Sequence, residues 1–136
     1  MKAAQLFVQC LEREGVQFVF GLPGEETLDL LDALADSSIS FISVRHEQAA
    51  AFMADVYGRL TGKAGVCLST LGPGATNLAT GIADAFLDRA PLVAITAQGA
   101  VQRLHKESHQ AINTLDMYRT ITKWNARIDR PSMVPE

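Results

Sequence analysis

The sequence predicts an α/β fold: a three-layer arrangement with helices on both faces of a mostly parallel, doubly wound sheet. Three observations lead there. Segments of helical periodicity alternate with short apolar runs along most of the chain. Those runs are too uniformly apolar for a sheet wetted on one face, and read as strands covered on both. The turns after them are rich in glycine and proline, the punctuation expected between a strand and the next helix.

The elements follow in order. Ala3, Leu6, Phe7, Cys10 and Leu11 recur at helical spacing, and Gly15 ends that helix. Residues 17–20 form an apolar, aromatic strand that runs into the tight turn Gly21-Leu22-Pro23-Gly24. Leu28, Leu31 and Leu34 mark a second helix, with Glu25 and Glu26 in its opening region, where a helix dipole favours negative charge. Residues 39–44 make the second strand. A third helix runs from 47 to about 60 and closes at Thr61-Gly62-Lys63. The third strand is 66–69, and Gly72-Pro73-Gly74 turns the chain into a helix from 75 to about 87. The fourth strand is 92–96. The polar stretch 99–118 reads as a loop with one short helix. Trp124, Ala126 and Ile128 alternate with Asn125 and Arg127, the pattern of a final half-exposed strand. Pro131 and Pro135 follow, and residues 131–136 resemble the start of an interdomain linker. The expectation is one domain, residues 1–130, of a longer protein.

Composition excludes several function classes. With 136 residues, 48% of them hydrophobic, the chain can bury one sizeable core. A net charge of −3 and scattered Lys and Arg supply neither the basic stripe of a nucleic-acid binder nor a polybasic membrane patch. No apolar run approaches the roughly 18 residues of a membrane span. Cys10 and Cys67 are far apart and read as reduced core residues of a cytoplasmic protein.

In parallel sheets of this kind, ligands sit beyond the carboxyl ends of the strands. That rule selects Gly21–Gly24, Arg45–Glu47, Thr70–Gly74 and the Gln98 region, which should line one edge of the domain. Among these, Glu47 stands out. Taken alone it is an ordinary helix-start glutamate. Behind it, however, lies Ala49-Ala50-Ala51-Phe52-Met53-Ala54, a run without a polar side chain, predicted to be buried nearly all round. A carboxylate at the rim of such a surface is desolvated, desolvation raises a carboxyl pKa, and such a group can share a proton with a ligand nitrogen near neutral pH.

Other candidates are weaker. Gly72-Pro73-Gly74 before a helix has the look of a phosphate cradle, but no Lys-Ser/Thr pair follows it and the dinucleotide spacing is absent. His105 and His109 are four apart, without a third ligand at a convincing spacing, so no metal site is expected within this chain. Asp84 and Asp88, also four apart, are expected to face solvent or a partner domain. Neither a Gly-x-Ser-x-Gly nor a Cys-x-x-Cys occurs.

The blocks Gly21-Leu22-Pro23-Gly24, Arg45-His46-Glu47-Gln48-Ala49-Ala50, Thr61-Gly62-Lys63-Ala64-Gly65-Val66, Gly72-Pro73-Gly74-Ala75-Thr76-Asn77-Leu78 and Gly81-Ile82-Ala83-Asp84-Ala85 occur in that order. Together they resemble the N-terminal, pyrimidine-binding domain of thiamin-diphosphate-dependent enzymes, with the large subunit of acetolactate synthases the nearest type. The resemblance covers nearly the whole chain. It implies that Glu47 is the catalytic carboxylate, contacting ring nitrogen N1′ of the cofactor's aminopyrimidine. It also implies that Pro23 and Gly24 lie against the pyrimidine, that Thr70, Gly74 and Asn77 line its pocket, and that Gln110 approaches the cofactor and substrate side. The diphosphate and its Mg2+ would be held by a separate domain, through a Gly-Asp-Gly that this chain lacks. The implied reaction is decarboxylation of pyruvate and carboligation to a second 2-oxo acid. The implied assembly is a homodimer or homotetramer, with the alanine-rich helix packing across a subunit interface and a regulatory subunit left open. The isolated chain is expected to be inactive.

The sequence also departs from the family pattern. Many relatives have Ser where this chain has Leu71, which removes a hydroxyl from the pocket side. The stretch Leu104–Gln110 is more similar to the catabolic acetolactate-forming type than to the flavin-containing synthases, which weakens the case for FAD. Other enzymes of the same cofactor class, decarboxylases and acyltransferases, share similar N-terminal domains. A non-catalytic domain retaining the fold is a further alternative, against which the retention of Glu47 speaks.

Overall fold

The computed structural model describes residues 1–135. Four strands, β1 (Phe18–Gly21), β2 (Ser40–Ser43), β3 (Gly65–Ser69) and β4 (Leu92–Thr96), form one sheet in the order β2-β1-β3-β4. Every pairing is parallel: Val19 lies beside Phe41 on one side and Val66 on the other, and Leu68 lies beside Ile95. All four carboxyl ends therefore point the same way, and the four predicted loops do share one edge. Because β1 connects outward to β2 while β3 continues on the other side, the strand order reverses between β1 and β3. That is where a doubly wound sheet opens a crevice.

The two faces carry separate cores. On one, α1 (Ala3–Arg13) and α2 (Leu28–Ala35) cover Val19, Val66 and Leu68, with Val8, Leu34 and Ile39 filling the layer. On the other, α3 (Glu47–Thr61), α4 (Pro73–Leu87) and the short α5 (Thr114–Tyr118) cover Phe20 and Cys67. Successive residues of a strand point to opposite faces, so Val66, Cys67 and Leu68 serve both cores in turn. β3 is buried along its whole length, as a central strand flanked on both faces must be.

Local chemistry explains the boundaries. His46 caps α3, its Nδ1 accepting from the Gln48 backbone N–H at 3.2 Å. The helix ends at Gly62, whose φ of 68° is the left-handed conformation that glycine adopts without penalty. α4 starts two residues earlier than expected. Pro73 sits at its first position, where a missing N–H costs nothing, and Gly72 makes the turn with φ 53° and ψ −114°. Glu25 and Glu26 lie in a 3-10 turn (Glu25–Thr27) ahead of α2.

Two expectations are corrected. Residues 124–128 form no strand. A strand exists through its hydrogen-bonded neighbour, and this segment is tied instead to α5, with Asn125 Nδ2 donating to the Leu115 carbonyl at 3.1 Å and Trp124 left 77% exposed. α3 is not buried all round either. Ala50, Ala51 and Ala54 are fully buried, whereas Ala49, Met53, Val56 and Leu60 lie on an exposed face.

The small residues of α3 do allow close packing, and the partner is α4. A methyl group on Gly81 would lie 2.5 Å from Ala51 Cβ. An ion cluster ties the same helices at their far end. Arg59 grips the buried Asp55 through Nε (2.9 Å) and Nη2 (2.8 Å), reaches Asp84 at 2.8 Å and also pairs with Asp88. The hydrogen bond to Asp55 holds the Arg59 guanidinium above its usual pKa. Asp84 and Asp88, expected to face solvent or a partner domain, are thus half-exposed anchors of that arginine.

Candidate functional site

Glu47 is the first residue of α3, delivered to the carboxyl edge of the sheet by the loop after β2. Despite that position it is only 6% exposed. Its Oε2 accepts from Asn77 Nδ2 at 2.9 Å, a bond between the start of α3 and the second turn of α4. A methyl on Gly74 would lie 3.2 Å from Glu47 Oε1 and 2.9 Å from Thr70 Cγ2. Glycine at position 74 thus lets α4 begin hard against both side chains. Glu47, Thr70, Gly74 and Asn77, chosen from sequence, form one cluster.

Gly24 joins it from the other wall of the crevice. A Cβ there would collide with the Thr70 side chain, so the loop after β1 and the loop after β3 touch directly across the switch point. The loop after β1 is braced internally: the Gly24 N–H donates to Thr27 Oγ1 at 3.0 Å, and that hydroxyl donates back to the Gly24 carbonyl at 2.8 Å. Pro23, one residue earlier, is exposed on the same loop. It also borders an apolar recess of about 400 Å³, shared with Leu31, Leu34, Ile39 and Phe41, on the α2 side of β2. That recess does not include Glu47.

Gln110 reaches the edge through its backbone. With φ 53° it turns its carbonyl over Gly72, where any Cβ would clash, while the residue itself is exposed. Leu71 is 1% exposed. A leucine at this position serves the core, and the hydroxyl missing there is not missing from an open pocket wall. His105 and His109 lie in a loop, not on a helix face. Among the described residues, no three His, Cys, Asp or Glu side chains are grouped to hold a metal ion, and no helix is long and apolar enough to cross a membrane. Cys67 is fully buried, which pushes its thiol pKa up to about 12, whereas Cys10 is only partly buried.

Sequence reasoning missed Glu26. Its Oε2 accepts from Thr70 Oγ1 at 2.7 Å, 44 residues away in the chain. The sequence placed Thr70 on an edge loop and Glu26 in the opening region of the second helix, and nothing in it pairs them.

Chemically, the cluster presents a shielded carboxylate with one oxygen held by an amide donor, a hydroxyl nearby, and glycines where backbone must come close. It suits a flat heterocycle with a ring nitrogen that shares a proton. Comparison with known proteins identifies the family. Residues 1–117 match the family model described as thiamine pyrophosphate enzyme, N-terminal TPP binding domain. The chain is 47% identical, over its full length, to a probable acetolactate synthase large subunit of Methanocaldococcus jannaschii, of which it covers 23%. It is 46% identical over 98% of its length to a catabolic acetolactate synthase of Raoultella terrigena and 42% identical over 99% to an acetolactate synthase of Bacillus subtilis, covering 24% of each. It thus spans about a quarter of the length of the curated relatives it matches. With a family model over most of its residues and the helix-strand order of that fold, the chain belongs to the thiamine pyrophosphate enzymes, as their N-terminal TPP-binding domain.

Proposed function

We propose that this chain supplies the pyrimidine side of a thiamin diphosphate site in an acetolactate synthase, which decarboxylates pyruvate and joins the product to a second 2-oxo acid. The observation that carries the reading is Glu47: a carboxylate 6% exposed at the ligand edge, with one oxygen fixed by Asn77. When bound, thiamin diphosphate supplies the electron sink for decarboxylation. The chain's own residues do the rest of the work on this side. Glu47 shares a proton with the pyrimidine ring nitrogen, and Asn77 fixes the direction of its carboxylate. Pro23, Gly24, Thr70 and Gly74 shape the wall against the ring, and Gln110 closes the edge from the loop over Gly72. The residues fit the group: a shielded proton-sharing carboxylate sits beside glycine positions that leave no room for side chains.

Mg2+ and the diphosphate belong, in this reading, to a second domain, and the protein works as a homodimer or homotetramer in the cytoplasm. The exposed apolar stripe of α3, Met53, Val56 and Leu60, supports self-association.

The test uses the complete polypeptide with thiamin diphosphate, Mg2+ and pyruvate, and quantifies acetolactate, acetaldehyde and carbon dioxide. Acetolactate is expected, and Glu47→Gln should lower turnover by about a hundredfold or more. Acetaldehyde with carbon dioxide alone moves the protein to the simple decarboxylases. Unchanged turnover in Glu47→Gln removes the mechanism.

A further inference from the structure

We propose that Glu26 is a positioning residue of this pocket: it takes the single hydroxyl hydrogen of Thr70 across the crevice, so that Thr70 meets the ligand as a hydrogen-bond acceptor. The inference rests on the thiamin diphosphate reading of the site and deepens it. A threonine hydroxyl has one hydrogen and two lone pairs. Its hydrogen points to Glu26 Oε2 at 2.7 Å. What remains for a ligand is lone-pair density, which suits an N–H or O–H group and disfavours a carbonyl or an anionic oxygen. The donor end of an aminopyrimidine is such a group.

Glu26 is prepared for this role by its backbone. It lies in the 3-10 turn that Thr27 locks through its reciprocal bonds with Gly24, and Thr27 is 2% exposed. The carboxylate is therefore carried on a braced turn, not on a loose loop. Its target is equally constrained. Thr70 is wedged between Gly24 and Gly74, at both of which a Cβ would collide with its side chain. The bond spans the strand-order reversal between β1 and β3 and joins the two walls that a ring inserted there must separate or fit between.

The experiment measures Kd for thiamin diphosphate, with Mg2+ present, by titration calorimetry on the complete polypeptide. Glu26→Ala should weaken binding about five- to tenfold, within the net worth of one ordinary hydrogen bond. Glu26→Gln keeps an acceptor oxygen and should stay within about twofold of the parent. In a Thr70→Val background, Glu26→Ala should cost nothing further. Equal binding by parent and Glu26→Ala overturns the role. So does an equal loss with or without the Thr70 hydroxyl, which would make Glu26 a brace for the fold; thermal melts of the apo variants verify that each is folded. A parent that binds no thiamin diphosphate overturns the reading of the site itself, an outcome separate from the failure of Glu26.

Discussion

Replacing Gly81 by alanine tests whether the α3–α4 contact is as rigid as its geometry implies. The new methyl would lie 2.5 Å from Ala51 Cβ, 2.9 Å from the Phe52 nitrogen and 3.0 Å from the Ala51 carbonyl carbon. Non-bonded carbons settle near 3.5–4.0 Å, so the overlap is about 1 Å. None of the three atoms is the end of a flexible side chain. The helices must therefore move apart, and packing around the buried Leu78 and Ile82 loosens with them. Overpacking costs about 1–3 kcal/mol, and with no flexible atom to give way the upper part of that range, about 2–3 kcal/mol, applies here. Alanine's better helix propensity returns up to about 1 kcal/mol. The net expected loss is about 1–2 kcal/mol, which for a domain of this size lowers Tm by roughly 4–8 °C. Urea denaturation followed by far-ultraviolet circular dichroism should show a lower midpoint at unchanged slope. Thr80→Ala, at an exposed position on the same helix, should stay within about 0.5 kcal/mol of the parent. Separation of the helices also pulls at the 2.9 Å bond between Asn77 and Glu47, so cofactor affinity should fall as well. A Gly81→Ala variant as stable as the parent, or more stable, would refute the reasoning.

Arg59→Met strands the buried Asp55 without its partner, so it should lower the urea midpoint far more than Asp88→Asn, which touches an exposed pair. Adding Asp55→Leu to Arg59→Met should recover much of the loss. The Cys67 thiol is held protonated to about pH 12 in the folded chain, against an ordinary value of 9.0. The unfolded state thus releases its proton first: stability is intact below pH 9 and is lost as pH rises from 9 to 12, at about 1.4 kcal/mol per unit. Urea midpoints at pH 8, 10 and 11 should trace that fall, and Cys67→Ala should flatten part of it. Val56→Asp, on the exposed stripe of α3, should reduce the oligomeric mass of the complete protein in sedimentation while leaving the melting of the isolated chain within about 1 kcal/mol.

The order of helices and strands as far as β4, the parallel sheet and the loop edge that its strands share were legible in the sequence. They depend on local patterns: a 3.6-residue period, apolar runs, glycine and proline turns. Glu47 was legible because a carboxylate interrupts apolar surroundings within one short stretch. What tertiary structure alone decided is which distant groups meet. An apolar run such as Ala49–Ala54 does not say which of its faces looks inward; α4, arriving at Gly81, covers Ala50, Ala51 and Ala54 and leaves Met53 outside. The alternation at 124–128 has the look of a strand, yet pairing needs a neighbour and the segment has none. Leu71, set in a glycine loop, goes to the core, where it is 1% exposed. Glu26 and Thr70, 44 residues apart, meet because β1 and β3 are neighbours in the sheet. A hydrogen bond of that kind is a property of strand order, and strand order is set by how the whole chain packs.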